Sequence, residues 1–200
     1  MKSKTIDKLI NKEQIYLDVA KLHINTIKTG FLPSLGIKFL ALMYKCIDEA
    51  QFSILITNYK DYKLRGFVSG TLGTSNLYKA MLSHPLDLIF ALIPMIFEIK
   101  KIKKIINILR YTSGSNRNKF PKSELLTICV HPNYHRQGIG LDLYKKLSQF
   151  FKSESVSEFV IIVGQSLNAN SFYKKQGAKI VTEIQVHSNI DSNLFIQKVD

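Results

Sequence analysis

Cysteine is the first scarcity. The 200-residue chain holds two, Cys46 and Cys129, too few and too far apart for a metal-ligand cluster, so no metal is expected. Cys129 lies inside an apolar run, where a buried, inert thiol is the expectation. Acidic residues are few as well: 15 against 28 lysines and arginines, a formal charge of +13. A field of that sign favours anionic ligands such as nucleotides and phosphates. Lysine, isoleucine and asparagine are all abundant, however, and most of the basic charge is expected to be solvated surface. The densest cluster, residues 100–104, has four lysines among five positions. It has no interleaved aromatics and no recognised motif, so no nucleic-acid partner is expected.

Other absences narrow the class further. Residues 1–11 lack an apolar core followed by a small-residue cleavage site, which points to a reducing, cytoplasmic setting. Spanning a bilayer takes about 20 consecutive apolar residues. The most apolar stretch, residues 86–99, is interrupted by Asp87, Pro94 and Glu98, so no transmembrane span is expected. There is no internal repeat and no disordered composition: 46% of residues are hydrophobic and 22% charged, the balance of a folded domain.

The hydrophobic pattern lays out the elements in order. Residues 5–10 suit a short strand. Asn11 can cap a helix in which Ile15, Val19, Leu22, His23 and Ile27 share a face. Residues 29–33 break it. Ser34 can cap a second helix presenting Leu35, Phe39, Leu42, Met43 and Ile47. Residues 52–57 and 64–69 read as a hairpin across a polar turn at 58–63. Residues 77–110 suit two apolar helices divided by Pro94, followed by a polar loop at 111–123. Then come a strand at 124–130, a helix at 138–151, a continuous apolar strand at 158–163, a short helix at 168–176 stopped by Gly177, and closing strands at 178–186 and 194–199. One α/β domain over residues 1–200 is expected, its core at about 1–76 and 120–200 and a helical insertion at about 77–119.

The chemistry concentrates where the strand at 124–130 meets its helix, in the run Val130-His131-Pro132-Asn133-Tyr134-His135-Arg136-Gln137-Gly138-Ile139-Gly140. Two glycines at a helix start let a ligand approach the backbone closely. The first helical turn offers unpaired N–H groups and the positive end of the dipole, so a pyrophosphate fits there. Hydrogen bonds to a charged group contribute about 1.5–3 kcal/mol each, and Arg136 can add a charge. The run lacks the third glycine and later acidic residue of a dinucleotide fingerprint, and no Gly-Lys-Ser/Thr follows as in a P-loop.

The full run resembles the acyl-CoA signature of the GNAT superfamily of N-acetyltransferases, Gln/Arg-x-x-Gly-x-Gly/Ala, with His135 in place of the usual Gln or Arg. A later block, Asn168-Ala169-Asn170-Ser171-Phe172-Tyr173-Lys174-Lys175-Gln176-Gly177-Ala178, is similar to a second motif of that family through Ala169, Phe172, Tyr173, Lys175 and Gly177. It departs from that motif at Ser166 and Ala178. The resemblance covers residues 52–72 and 120–199 well and the first two helices loosely; residues 77–119 lie outside the usual core. It implies a mixed, mostly antiparallel sheet flanked by helices, with the helical insertion between the third and fourth strands.

The resemblance also implies roles. Acetyl-CoA is the co-substrate, held by Ile128, Cys129, Val130, His135, Arg136, Gln137, Gly138, Ile139, Gly140, Asn168 and Phe172. The acceptor amine attacks the thioester directly, so much of the catalysis is positioning. A backbone N–H near Cys129 or Val130, where the strand bulges and splays from its neighbour in such folds, polarises the carbonyl. Tyr173 is the candidate general acid, against the plainer reading of a core aromatic beside Phe172. Glu124, six residues before Val130, is the candidate general base, against a solvated carboxylate at a strand start. His23 and His84 are lesser candidates; a lone helical histidine is more often structural. A small-molecule amine is the expected acceptor, an amino sugar among the options, and a protein N-terminus or lysine an alternative. A non-catalytic acyl-CoA binder is the other class. In that case the apolar insertion, beside its lysines, would dock on a partner or an anionic membrane surface. Its plainer role is to cover the core or form a homodimer interface.

Overall fold

Asn11 opens the first helix, as its position predicts. Its side chain accepts a hydrogen bond from the Glu13 N–H at 3.1 Å and caps α1, Lys12–Thr26. The structure, a computed structural model, describes residues 11–27, 32–74, 80–93, 119–186 and 190–199. The strand expected at 5–10 and the second helix expected in the insertion lie outside these. The second helix starts later than Ser34 suggests. Residues Leu32–Leu35 form a 3-10 turn, and α2 runs Gly36–Glu49 with Leu35 at its N-cap and no side-chain cap bond. The expected apolar face of α2 is buried: Leu35, Phe39, Leu42, Met43 and Ile47.

The hairpin is longer than its polarity suggests. β1 spans Ser53–Lys60 and β2 spans Lys63–Thr71, leaving a two-residue turn at Asp61 and Tyr62. Both have positive φ, 50° and 57°, as a hairpin turn of this length requires. Tyr59 and Lys60 continue the strand; polarity alone misplaced the turn. From the insertion the structure describes α3, Pro85–Leu92, with a proline in its first turn.

The remaining elements are β3 Glu124–Val130, α4 Ile139–Ser153, β4 Glu158–Gly164, α5 Ala169–Lys175, β5 Lys179–Val186 and β6 Ile190–Lys198. β6 begins four residues before the strand expected at 194–199. The six strands lie in the order β1-β2-β3-β4-β6-β5, and only β3 and β4 pair in parallel. The sheet is mixed and mostly antiparallel, flanked by helices, as expected.

Alternation along β2 divides the core in two. Phe67 packs with Tyr16, Val19, Leu40, Tyr44 and Ile47 under α1 and α2. Its neighbour Val68 packs with Leu143, Leu147, Phe151, Phe159 and Phe195 under α4. A Cβ on Gly70 would stand 2.6 Å from Leu147 Cδ1, and one on Gly66 would stand 2.8 Å from Cys129 O. These glycines let α4 press against the sheet and hold β2 close to β3. That close packing positions the start of α4 beside the end of β3.

Candidate active site

β3 and β4 begin side by side and then part. Their parallel pairing joins Glu124 to Val160 and Leu125 to Ile161, and the strands diverge beyond it. A bulge coincides with the parting. Ser69 opposes Thr127 and Gly70 opposes Leu125, so Leu126 is the extra residue. The resemblance implies a bulge and splay near Cys129 or Val130; in this chain both begin nearer the start of the strand. Leu125 packs into the α4 core whereas Leu126 packs into the α1–α2 core, so the bulge resets the alternation.

The phase of the ladder decides which backbone groups face the gap. The His131 N–H donates to Arg65 O at 2.8 Å, and the register pairs Cys129 with Phe67 and Thr127 with Ser69. Hydrogen-bonded pairs alternate with non-bonded ones in an antiparallel ladder. Thr127, Cys129 and His131 therefore turn their backbone groups to β2, while Ile128 and Val130 turn theirs into the gap. Of Cys129 and Val130, only Val130 turns its backbone groups into the gap, and Ile128 does so as well.

At the open end, a 3-10 turn at Pro132–Tyr134 leads through His135 to Arg136, at φ 59°, and Gly138, at φ 78°, into α4. α4 has no side-chain cap, so the N–H groups of its first turn are left for another partner. A Cβ on Gly140 would meet only Val130 Cγ2 at 3.6 Å, an ordinary contact. The protein's own packing thus does not require this glycine, whereas an anion seated close on the turn does. The loop fits a pyrophosphate-bearing co-substrate on this ground. Arg136 and Gln137 are exposed. His135 is exposed too, but its side chain is engaged: Nε2 donates to Val130 O at 2.9 Å, and its backbone N–H donates to Pro132 O. It braces the loop against the strand, a different task from the side-chain contact of the usual Gln or Arg.

Tyr173 lies in α5 with its ring against Tyr144, Phe172 and Phe195. It is 3% exposed. Burial pushes its phenol above the usual range, and Tyr144 and Cys129 add to the shift. The Cys129 thiol is itself pushed up to about 12 by burial. Phe172 is half-buried, and Asn168 is exposed at the α5 N-cap position without a capping bond. The side chain that ties this corner is Asn170, which donates to Gly164 O at 2.9 Å and Leu167 O at 2.7 Å and accepts from Asn193 at 2.8 Å. Glu124 stands half-buried at the closed vertex of the gap. Four residues separate it from Ile128, about 13 Å along a strand.

His23 does not stand on an open substrate face. It is 2% exposed and shares a hydrogen bond with the Tyr44 hydroxyl. Tyr44 in turn bonds the Thr127 side chain, just past the bulge. Burial lowers the His23 pKa to about 4, which keeps the imidazole neutral. A polar chain, His23–Tyr44–Thr127, thus runs from α1 through α2 to β3. Sequence spacing carries no signal for partners 21 and 83 positions apart. His84 stands before α3, its Nδ1 3.8 Å from Asp87, on the helix that packs against α2. Among the described residues no group of His, Cys, Asp and Glu could hold a metal, and no helix is long and apolar enough to cross a membrane.

Residues 108–192 match the family model described as acetyltransferase (GNAT) domain. No curated protein matches the chain in sequence. Solved structures of similar fold include an aminoglycoside 6'-N-acetyltransferase complexed with coenzyme A, 11% identical with a TM-score of 0.59, over 94% of this chain and 92% of that one. The ribosomal-protein-S18-alanine N-acetyltransferase from Escherichia coli is 12% identical with a TM-score of 0.58, over 94% and 89%. The paia N-acetyltransferase from Thermoplasma acidophilum, in complex with coenzyme A, is 14% identical with a TM-score of 0.55, over 94% and 92%.

Proposed function

We propose that the chain, whose residues 108–192 match a GNAT acetyltransferase domain model, transfers an acetyl group from acetyl-CoA to the primary amine of a small molecule, by direct attack while both reactants are bound. The observation that carries this reading is the parting of β3 from β4 beside the uncapped, glycine-opened start of α4. In this reading the N–H groups from Gly138 through Gly140, with Arg136, hold the pyrophosphate. Ile128 and Val130 pair with the pantetheine arm as an added strand would, and one of their N–H groups polarises the thioester carbonyl. Two structures of the same fold are complexes with coenzyme A, which supports the choice of donor.

Tyr173 is the proposed general acid. Its burial is double-edged. A phenol with a raised pKa is a reluctant donor to a departing thiolate, yet a dry hydroxyl forms a strong hydrogen bond to developing charge. The role proposed is therefore a hydrogen bond that carries the proton over as the C–S bond breaks, with solvent restoring it afterwards. Glu124 is the proposed general base, acting through water, since about 13 Å of strand separates it from Ile128. Direct attack is further supported by Cys129. With its pKa near 12, it is a poor nucleophile for an acyl-enzyme.

Thiol release from acetyl-CoA with a panel of amines tests the proposal. The expected result is release that depends on both a primary amine and the protein. The Escherichia coli relative is named for acetylating a ribosomal-protein alanine, so peptides with free N-termini belong in the panel. Release with peptides alone would replace the small-molecule acceptor. Coenzyme A binding without release from any amine would replace the enzyme with a binding module. The exposed Leu86, Ile89 and Phe90 of α3 would then be tested for docking by salt-sensitive liposome pelleting.

A further inference from the structure

Four buried side-chain oxygens have no hydrogen-bond partner among the described residues: Thr26 Oγ1, Ser69 Oγ, Tyr144 Oη and Gln197 Oε1. Buried polar groups are almost always paired, so each exception calls for a reason. Of the four, Tyr144 is the one whose ring lies against the proposed general acid. It belongs to α4 and is 4% exposed. Its ring centroid stands 6.1 Å from that of Tyr173, 5.7 Å edge-on from Phe172 and 6.2 Å from Phe159 on β4. A phenylalanine would make the same ring contacts without burying a hydroxyl, so packing alone does not account for this residue.

An unpaired hydroxyl costs stability in the resting fold and is worth most where charge appears nearby in a dry setting. The proposed transfer creates such a charge. As the C–S bond breaks, its electron pair passes to sulfur and the Tyr173 proton follows it there. The Tyr173 oxygen is left as a phenolate until solvent returns a proton. Tyr173 is 3% exposed, so water solvates that oxygen poorly. The two phenols already sense each other, because Tyr144 adds to the upward shift of the Tyr173 pKa. Burial raises the Tyr144 pKa as well, which keeps its hydroxyl protonated and able to donate. A donor held in place before charge develops stabilises that charge without reorganisation.

We propose that Tyr144 is a positioning residue of the transfer reaction, acting through Tyr173: its hydroxyl, unpartnered in the resting fold, donates to the Tyr173 oxygen as that oxygen gives up its proton. This rests on the acetyl-transfer reading and adds a second residue to its acid step. The test is Tyr144→Phe in the full chain, made alone and together with Tyr173→Phe. Thiol release from acetyl-CoA is measured with the most active amine of the panel. Tyr144→Phe should raise the melting temperature by about 2–4 °C, because one buried unpaired group is removed. It should nevertheless lower kcat about tenfold and leave the acetyl-CoA dissociation constant unchanged. In the Tyr173→Phe background the second substitution should lower kcat no further, because the oxygen it serves is gone. Losses that multiply in the double variant would overturn the inference, since Tyr144 would then act independently of Tyr173. A lower melting temperature in Tyr144→Phe would also overturn it, by showing the hydroxyl paired in the resting fold. Release by the wild-type chain with undiminished kcat in Tyr144→Phe sinks this inference alone. No release with any amine sinks the transfer reading and the inference with it.

Discussion

On the α4 side of the sheet, the candidate donor site is made of backbone. It consists of two N–H-bearing positions on a diverging strand, an uncapped helix start and glycines at 138 and 140. On the α1 side, the polar groups are side chains drawn from distant segments. His23, Tyr44 and Thr127 meet in the interior, and Lys21, Lys63 and Asn133 line a cleft between the end of α1, the hairpin tip and the turn after β3. A backbone site tolerates many side chains, as His135 in its unusual position illustrates, and depends on a few positions where a side chain would intrude. A side-chain site leaves its backbone unconstrained and depends on long-range assembly. The two sides should therefore respond to substitution in opposite ways.

The largest expected effect is on chemistry between the two. Tyr173→Phe should lower kcat by about 100-fold or more, within the span usual for a general acid, and leave the acetyl-CoA dissociation constant unchanged. Unaltered kcat with every acceptor would return Tyr173 to the core aromatics. On the α1 side, pH should read the buried histidine. The folded-state pKa near 4 lies below the ordinary 6.5, so the unfolded chain binds a proton that the folded one refuses. Stability should be full above pH 6.5 and fall as pH drops toward 4, by about 3 kcal/mol in total. Denaturant melts between pH 7 and 4.5 would show it. In His23→Phe that part of the slope should vanish, at the cost of leaving Tyr44 without its partner.

On the α4 side, Gly140→Ala should weaken acetyl-CoA about tenfold, the loss of one charge-assisted hydrogen bond, with no change in melting temperature, since the added Cβ meets only Val130 at 3.6 Å. Calorimetry and a melt on the same sample separate the two effects. Smallest of all, Tyr62→Gly should relieve the strained turn and stabilise the chain by about 1 kcal/mol. A destabilised Tyr62→Gly would mean that the ring supports the fold.

The same division explains what the sequence disclosed. β3 is legible to the residue and α4 nearly so, because apolar runs and a glycine pair are local signals. The hairpin turn was misplaced because Tyr59 and Lys60 are polar residues inside a strand. Ser34 resembles a cap, but Gly36, at φ 82°, lets a 3-10 turn lead into α2 instead. The bulge at Leu126 is invisible in Glu-Leu-Leu-Thr, since two adjacent leucines suit either core. It is nevertheless what sets which amides face the gap. In the sequence His23 is a lone helical histidine and a lesser candidate for chemistry. Its partner Tyr44 and the next link, Thr127, are fixed by packing between elements, which no local pattern encodes. The elements of the fold were thus readable as positions, whereas the contacts that join them across the chain were not.

The central claim is that alternate amides of β3 receive the donor. Amide hydrogen exchange resolved by NMR, with and without acetyl-CoA, tests it most directly. Ile128 and Val130, together with Gly138 through Gly140, should gain protection on addition of acetyl-CoA, whereas Thr127 and Cys129, already bonded to β2, should not change. Uniform protection along β3, or none at Ile128 and Val130, would contradict the account.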